Sequence, residues 1–132
     1  MAAAVADYRP SQRIAGKIKK DADELMLTLV KTVDVLETIS RMRTERQTVI
    51  GFALEADGPS APGARGAALE KAARKNLDAI VLNGPENIGG RSGEIAVFDR
   101  SGREIARKRG LKDELAKVIV DVALTLHAEK AG

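Results

Sequence analysis

Apolar and polar positions follow two rhythms along this chain. Residues 1–6, "MAAAVA", are all small or apolar without a helical period, and Asp7 stops them. A short run of this kind reads as a strand buried on both faces. Residues 10–16 read as a loop. In "ELMLTLVKT", residues 24–32, Leu25, Leu27 and Leu29 point one way and Met26, Thr28 and Val30 the other. That is the period of a strand. Only the acidic "DAD" turn separates it from the basic "KIKK" of residues 17–20, so the two are expected to pair as a hairpin. Asp34 is placed to cap a helix running to about Arg43, with Val35, Leu36, Ile39 and Met42 on its apolar side.

Residues 48–54, "TVIGFAL", predict the next strand. Residues 56–66, "ADGPSAPGARG", are too rich in Gly and Pro for regular structure. An alanine-rich helix follows over 67–75, ended by Asn76, then a buried strand, "LDAIVLN", over 77–83. Residues 84–93 read as a flexible loop and 94–108 as a hairpin turning at Ser101-Gly102. From 111 to about 130, Leu115, Val118, Ile119, Val122 and Leu126 mark an amphipathic helix. This order predicts an α/β fold with a mainly parallel sheet and flanking helices. Ligands of such sheets bind beyond the carboxyl ends of the strands, where Asp7, Glu55 and Asn83 fall.

Composition narrows the chemistry. The chain has 132 residues, 44% hydrophobic and 31% charged, enough for one globular domain. No apolar run approaches the ~20 residues of a membrane helix, so no membrane partner is expected. No basic-then-apolar signal segment opens the chain. The absence of cysteine excludes disulfides and thiol chemistry within it and fits a reducing cytoplasm. A net charge of +3 suits a small anionic ligand. With only Tyr8, Phe52 and Phe98 as aromatics, no stacking platform for nucleic acid is expected. The single histidine, His127, allows neither a metal cage nor a Ser/His/Asp arrangement.

Several residues admit two readings. Asp7 is a turn carboxylate or an acceptor for ligand hydroxyl and amino groups. Lys17, Lys19 and Lys20 are a charged strand edge or a phosphate clamp of point charges. Lys71 and Lys75 share one helical face, as plain surface or overhanging the strand ends. Phe52 reads as core, and Asn83-Gly84-Pro85 as a turn.

Taken together the motifs are more specific. "AAAVADYRP", "KIKK" with Lys17 ten residues beyond Asp7, "DELMLTLVKTVDVL", "VIGFALE" and "RKNLDAIVLNGP" occur in this order. The chain resembles the carboxy-terminal half of the bacterial phosphopantothenoylcysteine synthetase (phosphopantothenate–cysteine ligase) domain of a bifunctional coenzyme A biosynthesis flavoprotein. The resemblance implies a Rossmann-like fold with a protruding hairpin, residues 17–32, that forms a homodimer. It implies a two-step reaction. The carboxylate of 4′-phosphopantothenate attacks the α-phosphate of CTP, with Mg2+, giving an acyl-cytidylate and pyrophosphate. The amine of cysteine then displaces CMP. By the same resemblance Lys17 serves acyl-cytidylate formation. Asp7, Val33, Asp34, Val35, Phe52, Lys71 and Lys75 contact the nucleotide, and Ala4 contacts the substrate.

The departures carry expectations of their own. The family domain's first half, with its glycine-rich opening, phosphopantothenate loop and second-step asparagine, is absent from this sequence, as is the flavin-dependent decarboxylase. No flavin is therefore expected, and the chain alone is expected to be inactive without an amino-terminal half or decarboxylase partner. Residues 56–66 form a longer loop than usual, Leu69 stands where a basic residue is common, and residues 89–93 lack acidic character. The rival readings are a non-catalytic nucleotide-binding or dimerising fragment, and a basic nucleic-acid-binding module.

Overall fold

Two helices clamp one small sheet from opposite sides. The computed structural model describes residues 5–18 and 23–131. The elements in order are β1 (Tyr8–Pro10), β2 (Leu29–Lys31), α1 (Val35–Met42), β3 (Ile50–Leu54), α2 (Ala64–Arg74), β4 (Ala79–Asn83), β5 (Ser92–Asp99), β6 (Glu104–Leu111) and α3 (Lys112–Ala131). A single 3-10 turn, Pro85–Asn87, interrupts the loop after β4. The main sheet runs β3-β4-β5-β6. It is mixed rather than mainly parallel. β3 and β4, joined through α2, are parallel, whereas β4–β5 and β5–β6 are antiparallel. The α/β, Rossmann-like class holds, and the hairpin of residues 94–108 accounts for the antiparallel half.

Alternation along β4 and β5 builds two cores. Ile80, Leu82, Ala96 and Phe98 face α2, while Ala79, Val81, Ile95 and Val97 face α3. Helix α2 meets the sheet through Ala64, Ala68 and Ala72, a stripe four residues apart. Its small side chains allow close approach. Helix α2 begins three residues before the expected start, because Gly63 takes a left-handed turn at φ 85° and lets Ala64–Gly66 join the helix. Asn76, at φ 52°, ends the segment as expected. Gly51 is required by close packing, since a Cβ there would lie 2.4 Å from a methyl carbon of Leu77.

Asp34 caps α1 as expected, accepting from the Glu37 N–H at 3.0 Å. The face that α1 buries differs from the expected one. Leu36 and Ser40 are buried, while Ile39 and Met42 are exposed.

The chain ahead of α1 departs most from expectation. Tyr8–Pro10, expected to follow the end of a strand at Asp7 and to run into a loop at Pro10, is itself a strand and pairs antiparallel with Leu29–Lys31. Hydrogen-bonded rungs at Thr32 N–H to Asp7 O and Ser11 N–H to Thr28 O leave Pro10 on a rung that asks for no N–H. The expected partner of Leu29–Lys31 was the KIKK segment. Lys17 and Ile18 are in no strand, and Lys19 and Lys20 lie outside the described residues, as do Met1–Ala4, including Ala4. No helix among the described residues is long and apolar enough to cross a membrane.

Candidate functional site

The carboxyl ends of the parallel pair open onto a cavity of about 640 Å³. The chain delivers the site residues expected from sequence to it from four places. The stretch before β1 brings Asp7, the turn after β2 and the start of α1 bring Val33, Asp34 and Val35, β3 brings Phe52, and α2 with its C-cap brings Lys71 and Lys75. Seven of the nine site residues expected from sequence therefore converge. Ala4 lies outside the described residues. Lys17 is exposed and is not among the residues lining the cavity. It sits on an arm whose described residues from 5 to 29 are all exposed, so nothing described packs it toward the strands.

The charges in the cavity are not equivalent. Lys75 Nζ lies 2.6 Å from Asp34 Oδ2, and the Lys75 side chain is only 12% exposed. The hydrogen bond from Lys75, followed by that from the Glu37 N–H, holds the Asp34 carboxyl below the usual carboxylate range. Asp34 thus uses one oxygen to cap α1 and the other to fix Lys75. Lys75 retains donors, because an ammonium carries three. Lys71, half-buried, has no ion-pair partner among the described residues. It is the unpaired cation of the cavity, within a wall otherwise apolar at Val35, Leu36, Phe52, Leu54 and Ile88.

Nothing in the sequence assigns Asn83 or Asn87 to the site beyond the place of Asn83 at a strand end. Asn83 closes β4 directly opposite Leu54 of β3 and lines the cavity. Asn87, on the 3-10 turn, donates to the Glu94 carbonyl at 2.9 Å. Gly93 makes room for it, since a Cβ there would fall 1.3 Å from Asn87 Oδ1.

A second cavity, also of about 640 Å³, lies between the β5–β6 turn and α3. Its buried charge, Asp78, is already satisfied by Arg43, by the Val49 N–H at 2.8 Å and by Lys130 at 2.8 Å. It works as a clasp between elements at the opposite end of β4.

The fold is that of a Rossmann-like α/β domain, with a cavity of mixed apolar and charged lining at the carboxyl ends of its parallel strands, where ligands of such sheets bind. Residues 1–126 match the family described as "DNA/pantothenate metabolism flavoprotein C-terminal domain". The chain belongs to that family, which bears out the resemblance carried by the "VADYRP" and "KIKK" motifs. Among curated relatives, the coenzyme A biosynthesis bifunctional protein CoaBC of Haemophilus influenzae is 33% identical over 127 residues, covering 96% of this chain and 29% of that protein. The Escherichia coli CoaBC is 30% identical, covering 97% and 32%. A "Cysteine/Cysteine sulfinic acid decarboxylase" from an unknown prokaryotic organism is 35% identical, covering 96% and 35%. The chain thus spans about a third of the length of these relatives. Among solved structures, the C-terminal domain of a CoaBC matches with a TM-score of 0.65 at 26% identity, covering 96% of this chain and 55% of that one. A Streptococcus pneumoniae DNA/pantothenate metabolism flavoprotein, at 16% identity and TM-score 0.68, shares the fold.

Proposed function

We propose that this chain is the nucleotide-binding and dimerising half of a CTP-dependent phosphopantothenate–cysteine ligase, working in coenzyme A biosynthesis in the cytoplasm. The observation that carries the reading is the convergence of Asp7, Val33–Val35, Phe52, Lys71 and Lys75 on one cavity at the carboxyl ends of β3 and β4. In this reading the pantothenate carboxylate forms a bond to the α-phosphorus of CTP, and the bond to pyrophosphate breaks. The cysteine amine then attacks the acyl carbon, loses its proton and releases CMP. Two anions meet in the first step, so fixed cations near the phosphates lower its barrier. Lys71 and Lys75 supply that charge from α2. Asp34 pre-orients Lys75, and Lys17 is carried in on the arm. Among the described residues no group of three or more acidic, His or Cys side chains could hold a metal ion. Mg2+ is expected to arrive as the companion of the triphosphate, held by phosphate oxygens and one or two carboxylates, with Asp7 the exposed candidate.

The position of Lys17 outside the cavity favours one second reading, a chain that binds nucleotide or dimerises without catalysing. Mixing experiments separate the two. The purified chain with CTP, phosphopantothenate and cysteine is expected to give no sustained product. Adding a separately expressed amino-terminal half of a relative is expected to give phosphopantothenoylcysteine. No product from the mixture, with both parts folded and associated, would favour the non-catalytic reading.

A further inference from the structure

Asn83 holds an uncommitted hydrogen-bonding fork in the cavity. Its Oδ1 is shielded from solvent and has no hydrogen-bond partner, and its amide nitrogen takes part in none of the hydrogen bonds described. Of the other neutral polar side chains lining the cavity, Asn87 also has a shielded Oδ1 without a partner, but its amide nitrogen is already committed, whereas both ends of the Asn83 amide are free among the described residues. Thr32 donates its hydroxyl to the Ala6 carbonyl, and Asn87 donates its amide to the Glu94 carbonyl. A shielded carbonyl without a donor is costly, and such a group in a cavity is relieved by a ligand that brings an N–H.

Placement suggests what that ligand edge is. In the parallel register Phe52 stands opposite Val81 and Leu54 opposite Asn83, so Phe52 and Asn83 lie on the same face of adjacent strands, one side-chain step apart. A flat ring lying against Phe52 brings its edge within reach of Asn83. A carboxamide presents one acceptor and one donor side by side. That pattern complements a ring with an exocyclic amine next to an unprotonated ring nitrogen, the edge of an aminopyrimidine.

We propose that Asn83 is a specificity-determining residue that reads the amino edge of the nucleobase. The proposal rests on the nucleotide-binding reading above and assigns that site its base-recognition contact. Asn83 acts on the choice of base, while Lys71 and Lys75 act on the phosphates.

The test is a calorimetric titration of CTP, UTP and inorganic triphosphate into wild type, Asn83→Leu and Asn83→Asp, with folding checked by circular dichroism. Wild type is expected to prefer CTP over UTP. Asn83→Leu should lower CTP affinity roughly ten- to hundredfold, the effect of the fork's two hydrogen bonds, and bring the CTP/UTP ratio toward one. Its affinity for inorganic triphosphate should not change. Asn83→Asp keeps the shape and one acceptor but loses the donor, so it should lower the ratio too. It carries the test if Asn83→Leu fails to fold. Equal losses for all three probes would assign Asn83 a structural role and overturn the proposal. An unchanged CTP/UTP ratio would overturn it while leaving the nucleotide reading in place. Failure of wild type to bind CTP would overturn both.

Discussion

At the scale of single residues, the polar side chains divide into those that hold the fold and those that are left for a ligand. Asp78 belongs to the first group. Burial works to raise its pKa, but hydrogen bonds from Lys130, the Val49 N–H and Arg43 outweigh it and leave the carboxyl below its ordinary value. A folded-state pKa below the unfolded one gives stability that is complete above the unfolded value, near 4, and lost as pH falls through the folded value. Urea denaturation should therefore show stability falling below about pH 4. Asp78→Asn should flatten part of that fall. Asp78→Ala leaves Arg43, 9% exposed, without its carboxylate. A loss of about 3–5 kcal/mol at neutral pH is expected. A pH profile identical to wild type in Asp78→Asn would remove the clasp from the account. Two glycines give a paired prediction. Gly93→Ala must displace Asn87 and should cost about 1–3 kcal/mol. Gly66→Ala, inside α2 with open space around it, should gain about 0.5–1 kcal/mol. Thermal melts that shift in the same direction for both would contradict these packing assignments. None of the Asp78 partners was legible in sequence, because residues 43, 49 and 130 share no local spacing with it. The Asp34–Lys75 pair was hidden for the same reason, although each residue was singled out alone.

At the scale of elements, periodicity was readable in the strands and helices of the main sheet, whereas in α1 the buried face was not the expected one. The helices after β3 and β6, the buried strands β3 and β4 and the turn at Ser101-Gly102 were all expected near their observed places. Periodicity failed in the arm, where no described residue from 5 to 29 packs into a core. Alternation around Leu25–Val30 marked a strand, but the partner was Tyr8–Pro10, concealed by a proline that only a non-hydrogen-bonded rung tolerates. Both sides of the arm remain open, with Met26 97%, Leu25 69% and Ile14 63% exposed. An isolated two-stranded ribbon is marginal in water, and apolar exposure of this extent marks a contact surface. The arm is proposed to meet its copy in a two-fold dimer. Met26→Asp is expected to shift the chain toward monomer in light scattering without changing its circular dichroism. A monomeric wild type at high concentration would contradict this assignment. Lys17 shares the arm, so Lys17→Gln is expected to affect acyl-cytidylate formation more than nucleotide affinity.

At the scale of the whole molecule, a mixed four-stranded sheet carries two separate ends. The amino end of β4 is closed by the Asp78 clasp, and the carboxyl ends of β3 and β4 open onto the proposed site. The α/β class was legible because the strand–helix–strand order around α2 fixes a parallel crossover. The mixed character of the sheet was not drawn from the hairpin, although that hairpin supplies half of its strands. On the proposed function, this open end binds a nucleoside triphosphate through its phosphates. Calorimetric titration of CTP and CMP into wild type and Lys71→Gln tests it most directly. CTP is expected to bind more tightly than CMP in wild type. Loss of the unpaired Lys71 cation should weaken CTP by about 1.5–3 kcal/mol, roughly ten- to hundredfold, and leave CMP much less affected. Equal affinities for CTP and CMP, or CTP binding unchanged in a folded Lys71→Gln protein, would contradict the account.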